Sequence, residues 1–167
     1  MLVKVAELTK NKGTTFLYDF LLPLKDMDEA EIQTLEPVQV SVEAVYQGME
    51  KGILVVGSLD SRSRARCHRC MEKFELVFSG DFREEVGLES ETACVREPDS
   101  ACLGETIDLA RLARDHWILA LPLKLLCRED CRGICPLCGR DLAKGACSCG
   151  GETLDPRLEK LKELLKD

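Results

Sequence analysis

Eight of the ten cysteines in this 167-residue chain fall into close pairs: Cys67-x-x-Cys70, Cys127-x3-Cys131, Cys135-x-x-Cys138 and Cys147-x-Cys149. A short loop between two cysteines lets both sulfurs face one ion, and a tetrahedral zinc site takes four such thiolates. Four pairs therefore suit two structural Zn2+ ions. The preferred partition gives one site to Cys67, Cys70, Cys127 and Cys131, and the other to Cys135, Cys138, Cys147 and Cys149. The first site would tie a β hairpin to the end of a downstream helix, and the second would be local. A swapped partition, with Cys67 and Cys70 joining Cys135 and Cys138, fits the spacings too. An iron–sulfur cluster draws on the same ligands. In CPLCG, Gly139 relieves the tight turn after the second cysteine. Cys94 and Cys102 have no close partner and are read as unligated.

A lone C-x-x-C could also be a redox pair, but that reading wants a parallel βαβ setting. CHRC follows an antiparallel hairpin instead. Structural zinc contributes roughly 10–16 kcal/mol of apparent folding free energy, as much as the whole stability of a domain at ~5–15 kcal/mol. The sequence shows no phosphate loop, nucleophile elbow or histidine–carboxylate set, so the residues speak against an enzyme and against a small-molecule substrate.

Beside the first C-x-x-C runs SRSRARCHRC, in which Arg62, Arg64 and Arg66 alternate. On a strand they share one face at a spacing of about 7 Å. Guanidinium groups in such a row match a phosphate backbone. With Arg69 in the CHRC turn they are the candidate RNA-binding residues. The competing reading is an exposed strand face paired with Glu43, Glu72, Glu75 or Glu84, whose charges also block unwanted strand addition. His116 and Trp117 read as a surface and a core residue.

The elements that must position these residues point to an α+β fold: an antiparallel β-rich N-terminal body, a helix, and a C-terminal cysteine-rich zinc-binding lobe. Residues 1–88 form the body. Leu2, Val3 and Val5 open a short strand, and residues 14–24 form a second, ended by Pro23. Residues 26–35 could hold a helical turn. VQVSVEAVYQ alternates with period two, GMEKG turns, and ILVVGSLDSRSRARC returns. Residues 71–88 supply one or two more strands, with Phe74, Leu76 and Phe78 on one face. Residues 89–104 lack periodicity and read as a mobile linker. Residues 105–167 hold a helix capped by Thr106 or Asp108 and ended before Pro122, then the zinc lobe, then a helix opened by Asp155 and Pro156. Leu109, Leu112, Ala113 and Leu119 mark the apolar stripe of the first helix, and Leu158, Leu161 and Leu165 that of the second.

Hydrophobic residues make up 45% of the chain and charged residues 32%. Residues 1–103 carry all of the formal charge of −7, and residues 104–167 are neutral. Such a chain is no generic nucleic-acid binder, so any RNA contact must come from a local patch. No apolar run reaches the roughly 18 residues that cross a bilayer, and the N-terminus lacks the pattern of a secretory signal. Paired cysteines together with these absences place the protein in a reducing compartment, the cytoplasm, with no membrane partner.

The chain resembles the YceD family of large ribosomal RNA subunit accumulation proteins. The resemblance rests on CHRCMEKFE after a long hairpin, then IDLARLARDHWILALPLKLLCREDCRGICPLCGRDLAKGACSCG, then LDPRLEKLKELL. It covers residue 35 to the end, with CRGICPLCGRDL and DPRLEKL as its most specific parts. It implies a non-enzymatic role in ribosome biogenesis, supporting accumulation or processing of large-subunit (23S) ribosomal RNA. The partners it implies are that RNA or ribosomal proteins. Family members differ in how many C-terminal cysteines they keep, which puts the metal on the side of stability. Two other functions fit the residues: an acidic adaptor for basic ribosomal proteins, and a thiol-based redox or zinc switch.

Overall fold

A computed structural model describes residues 1–10, 12–24, 32–95 and 101–149. Its elements are β1 (Leu2–Lys4), α1 (Val5–Leu8), β2 (Thr15–Leu22), β3 (Ile32–Thr34), β4 (Val38–Gly48), β5 (Gly52–Arg66), β6 (Lys73–Val86), β7 (Leu88–Ser90), β8 (Ala93–Cys94), β9 (Thr106–Asp108) and α2 (Leu109–Ala120). The fold is α+β, built around one antiparallel sheet.

β5 is the spine of that sheet. One of its edges carries β4 over the first half and β3 over Ser63–Ala65, while β6 runs along the other edge from Ile53 to Arg66. β2 completes the sheet on the far side of β4. Period-two alternation sends Val38, Val40, Val42, Ala44, Ile53, Val55 and Leu59 to one face, where all are buried. The opposite face stays open, with Leu17, Leu21 and Val77 each more than 60% exposed.

Helix α2 covers the buried face. Asp108 caps it, its Oδ1 accepting from the Ala110 and Arg111 N–H groups at 3.0 and 3.3 Å. It ends at Leu121, which is extended (ψ 134°) as a residue before proline must be. Leu109, Leu112, Ala113 and Trp117 face the sheet. Two glycines make room on that face: a Cβ on Gly80 would lie 3.1 Å from Ala120, and one on Gly57 would overlap the Phe82 ring. The Trp117 indole N–H donates to the Ser61 hydroxyl at 3.0 Å, satisfying a buried donor.

Several expectations change. Val5 begins α1 rather than extending the first strand. Ile32–Thr34 pair with β5 as a strand, and the helical turn expected over 26–35 otherwise lies outside the described residues, as does the helix expected from Asp155. Leu119 is 77% exposed, because the phase of α2 is set by Trp117 and Leu112. Within the stretch read as a linker, Cys94, Cys102 and Gly104 are buried and tied to their neighbours. β7 pairs with β8, the Cys94 N–H donates to the Gly104 carbonyl at 2.8 Å, and Cys102 bridges to Ile107. Cys94 and Cys102 are not lone cysteines: they form a disulfide within the main core. The body also continues past residue 88, since β9 pairs with β1 and α2 shares its core.

Candidate metal centre

The long β5–β6 hairpin ends in the turn Cys67-His-Arg-Cys70. The Cys67 N–H donates to the Glu72 carbonyl at 2.9 Å, and the Met71 N–H returns to the Cys67 carbonyl at 2.8 Å. Met71 takes a left-handed φ of 62° to close it. Cys135-Pro-Leu-Cys138 repeats this pattern: Cys135 N–H to Arg140 carbonyl at 2.8 Å, Gly139 N–H to Cys135 carbonyl at 2.9 Å, and Gly139 at φ 71°. Both turns aim their backbone N–H groups inward, which favours negative sulfur.

Behind α2 the chain drops past Pro122 and delivers Cys127 and Cys131 to the first turn. The His68 N–H donates to the Leu125 carbonyl at 2.8 Å, and Arg69 Nη1 donates to the Cys131 carbonyl at 2.7 Å. The Cys67 and Cys131 sulfurs stand 3.8 Å apart, and those of Cys70 and Cys127 stand 3.7 Å apart. Cys135, Cys138, Cys147 and Cys149 form a second group. Within each group all four sulfurs lie within 4.8 Å of one another. The structure thus groups the cysteines by the first of the two partitions and not by the swapped one.

Four sulfurs bonded to one tetrahedral ion at about 2.3 Å would stand about 3.8 Å apart. The two measured edges of the first group match that figure, so the residues fit a metal ion, and both groups could hold one.

The thiols in each group are electrostatically unequal. Burial pushes the Cys67 thiol up, but the backbone N–H groups of Cys127, Cys70 and Arg69 outweigh it and hold the thiol down at about 6. The N–H groups of Cys138 and Leu137, then the Cys147 side chain, lower Cys135 to about 6. Burial, followed by the neighbouring cysteines, pushes Cys127 up to about 12. The Cys138 side chain and then burial do the same to Cys149. Each group therefore offers one ready thiolate, and a metal ion must displace protons from Cys127 in the first and Cys149 in the second.

Of the arginine candidates, Arg62, Arg64 and Arg66 lie exposed on the open face of β5, just before Cys67. Arg62 pairs with Glu75 at 3.2 Å and approaches Glu36 at 4.0 Å. Among the described residues neither Arg64 nor Arg66 is ion-paired; Arg64 stands opposite Glu75 on β6, and Arg66 opposite Lys73. Arg69 differs, because its guanidinium is committed to the Cys131 carbonyl. His116 stacks on Phe82 with ring centres 4.7 Å apart and meets Glu84 at 3.3 Å.

Residues 55–165 match the family model described as large ribosomal RNA subunit accumulation protein YceD. The chain is 31% identical to uncharacterized proteins of Mycobacterium bovis and Mycobacterium tuberculosis, over 99% of its own length and 81% of theirs. It is 27% identical to a protein of Arabidopsis thaliana named large ribosomal RNA subunit accumulation protein YCED homolog 1, chloroplastic. That match spans 71% of this chain and 46% of the relative. No solved structure matches the chain. Among the described residues no helix is long and apolar enough to cross a membrane.

Proposed function

The chain belongs to the YceD family, and from that premise we propose that it is a non-enzymatic cytoplasmic factor that supports accumulation of large-subunit ribosomal RNA. In this reading the RNA contacts the open sheet face at Arg62, Arg64 and Arg66. The carrying observation is the cationic end of this face, where Arg66 stands opposite Lys73 and Arg64 shares its cross-strand neighbour Glu75 with Arg62, in a chain of net charge −7. Guanidinium groups at strand spacing that outnumber the carboxylates beside them suit successive phosphates. Two structural zinc ions, on Cys67, Cys70, Cys127 and Cys131 and on Cys135, Cys138, Cys147 and Cys149, hold that patch in place. Zinc is favoured over an iron–sulfur cluster by the sulfur edges near 3.8 Å, because thiolates bound to different irons stand further apart. Arg69 belongs with the metal clasp rather than with the RNA surface.

Replacing Arg64 and Arg66 with glutamate tests this. The expected result is reduced crosslinking to large-subunit RNA in cells, reduced levels of that RNA, and a binding slope against log salt shallower by about two. Unchanged crosslinking and RNA levels in a folded, metal-loaded variant would overturn it. A second reading has its own observation: Leu17, Leu21, Val56 and Val77 lie exposed on the same face beside Asp19, Asp60 and Asp81. That mixture suits an adaptor for a basic ribosomal protein. Retained ribosomal association without RNA crosslinking would favour it.

A further inference from the structure

The two cysteines outside the metal groups are joined to each other, in a chain whose other eight cysteines form no disulfide. In reducing compartments, where sets of free thiols persist, the disulfides that do form are usually transient, and they act in catalysis or redox sensing. The two sulfurs also sit in different surroundings. Both are buried in the core, Cys94 on β8 completely and Cys102 with 7% of its surface exposed. Cys102 lines a cleft of about 360 Å³ between α2 and the end of β6, together with Val95, Leu112 and His116, and Cys94 is not part of that lining. A cleft of this size admits a small organic molecule.

Backbone groups reinforce the asymmetry. The Gly104 N–H lies 3.3 Å from the Cys102 sulfur, where it would stabilise a thiolate. The Cys94 sulfur lies 3.1 Å from the Gly104 carbonyl oxygen, which accepts from a thiol and repels a thiolate. One sulfur is therefore placed to react with what enters the cleft, and the other is placed behind it.

We infer that Cys94 and Cys102 form a reversible thiol–disulfide couple, in which Cys102 exchanges with a low-molecular-weight disulfide or thiol through the cleft and Cys94 is the resolving partner. In the oxidising direction the Cys102 thiolate attacks one sulfur of the small disulfide. A bond forms between the two, the small disulfide's own S–S bond breaks, and one small thiolate leaves and takes up a proton. Cys94 then gives up its proton and attacks the Cys102 sulfur. The Cys94–Cys102 bond forms, the mixed bond breaks, and the second small thiol departs. Two protein thiols are oxidised by two electrons, and one small disulfide is reduced to two thiols. The reverse sequence opens the bridge. Glu84, Glu85 and Asp115 line the same cleft, so a cationic or neutral reagent enters more readily than an anionic one.

The test uses the full-length, reduced, zinc-loaded protein with cystamine as the cationic disulfide and glutathione disulfide as the anionic one, read by peptide mass mapping. Wild type should close the Cys94–Cys102 bridge and retain no adduct. Cys94→Ala should keep an adduct on Cys102, whereas Cys102→Ala should label Cys94 at least about tenfold more slowly. Cystamine should outpace glutathione disulfide about tenfold at low salt, with the ratio shrinking as salt rises. Equal labelling of Cys94 and Cys102 in the two variants, or faster reaction with the anionic reagent, would overturn the inference. Should the variants fail to fold, the bridged wild type is treated with a small thiol and trapped during the reaction. A first mixed disulfide on Cys102 supports the couple, and a bridge that opens only after global unfolding sinks it.

Discussion

Cys67–Glu72 and Cys135–Arg140 trace one turn twice, with the same two backbone hydrogen bonds and the same left-handed closing residue position. Their surroundings part company from there. The first group joins the tip of the β5–β6 hairpin to residues 127–131, across separations of 57 and 64 residues, and Cys67, Cys70 and Cys131 are buried. The second is closed within residues 135–149 and leaves Cys138 and Cys149 exposed. One local device therefore serves two ends. In the first group metal binding would tie the hairpin tip to the chain after α2 around a small cluster with Phe74 and Leu126, and in the second it would shape a loop. The groups meet at Gly133, whose φ of 75° and close approach to the Arg69 carbonyl leave no room for a side chain.

The contrast is sharpest if a ligand is removed from each. Cys67→Ser should lower the unfolding free energy of the body by about 4 kcal/mol or more, as loss of a metal site does. Cys138→Ser should change it by less than about 0.5 kcal/mol. Each variant should lose one equivalent of metal. Urea unfolding followed by circular dichroism, with metal analysis, reads both effects. Equal destabilisation by the two substitutions would erase the distinction.

Protons supply the next test, in which the groups should behave alike. Cys67 and Cys135 are held at about 6, so above that pH both are already thiolates before metal arrives. As pH falls through about 6, each must also shed its proton on binding. Proton release per ion should then rise by about one, and apparent affinity should steepen by about tenfold per pH unit. Calorimetric titrations in buffers of different ionisation enthalpy measure this directly.

The smallest effect concerns the closing residue. Met71 bears a left-handed φ that costs an L-residue roughly 1–2 kcal/mol, and Gly139 does not. Met71→Gly should stabilise the first group by up to about 1 kcal/mol, while Gly139→Ala should weaken the second by about 1 kcal/mol. Among the described residues, chain neighbours aside, no atom lies within 4 Å of the Cβ that Gly139→Ala would add, so the backbone strain is what is tested.

Spacing made much of this legible. C-x-x-C can form only a few turns, so the CPLCG knuckle and its closing Gly139 were legible, whereas the spacings allowed two groupings of the sulfurs and the fold selects one of them. The alternation of VQVSVEAVYQ marked β4, and Pro122 marked the end of α2. What escaped was set by partners remote in the sequence. Eight residues separate Cys94 from Cys102, a spacing that suits no ligand turn. They meet because β8 and residues 101–104 are both folded onto the core through β9. Arg69 looked like its neighbours Arg64 and Arg66, and only the arrival of Cys131 sets it apart. Leu119 fitted the helical period, but the sheet accepts Trp117 instead because Ser61 offers the indole an acceptor.

That indole has an optical consequence. Trp117 is the chain's sole tryptophan, and it is 3% exposed with its ring 6.0 Å from Phe78. Ser61, its acceptor, lies on the same inward side of β5 as Ala65, two residues before Cys67. Its ultraviolet emission is therefore an intrinsic gauge of whether the helix still sits on the sheet. A chelator that empties the first group should shift that emission to the red as the indole meets water, while emptying the second should leave the spectrum dark to the event.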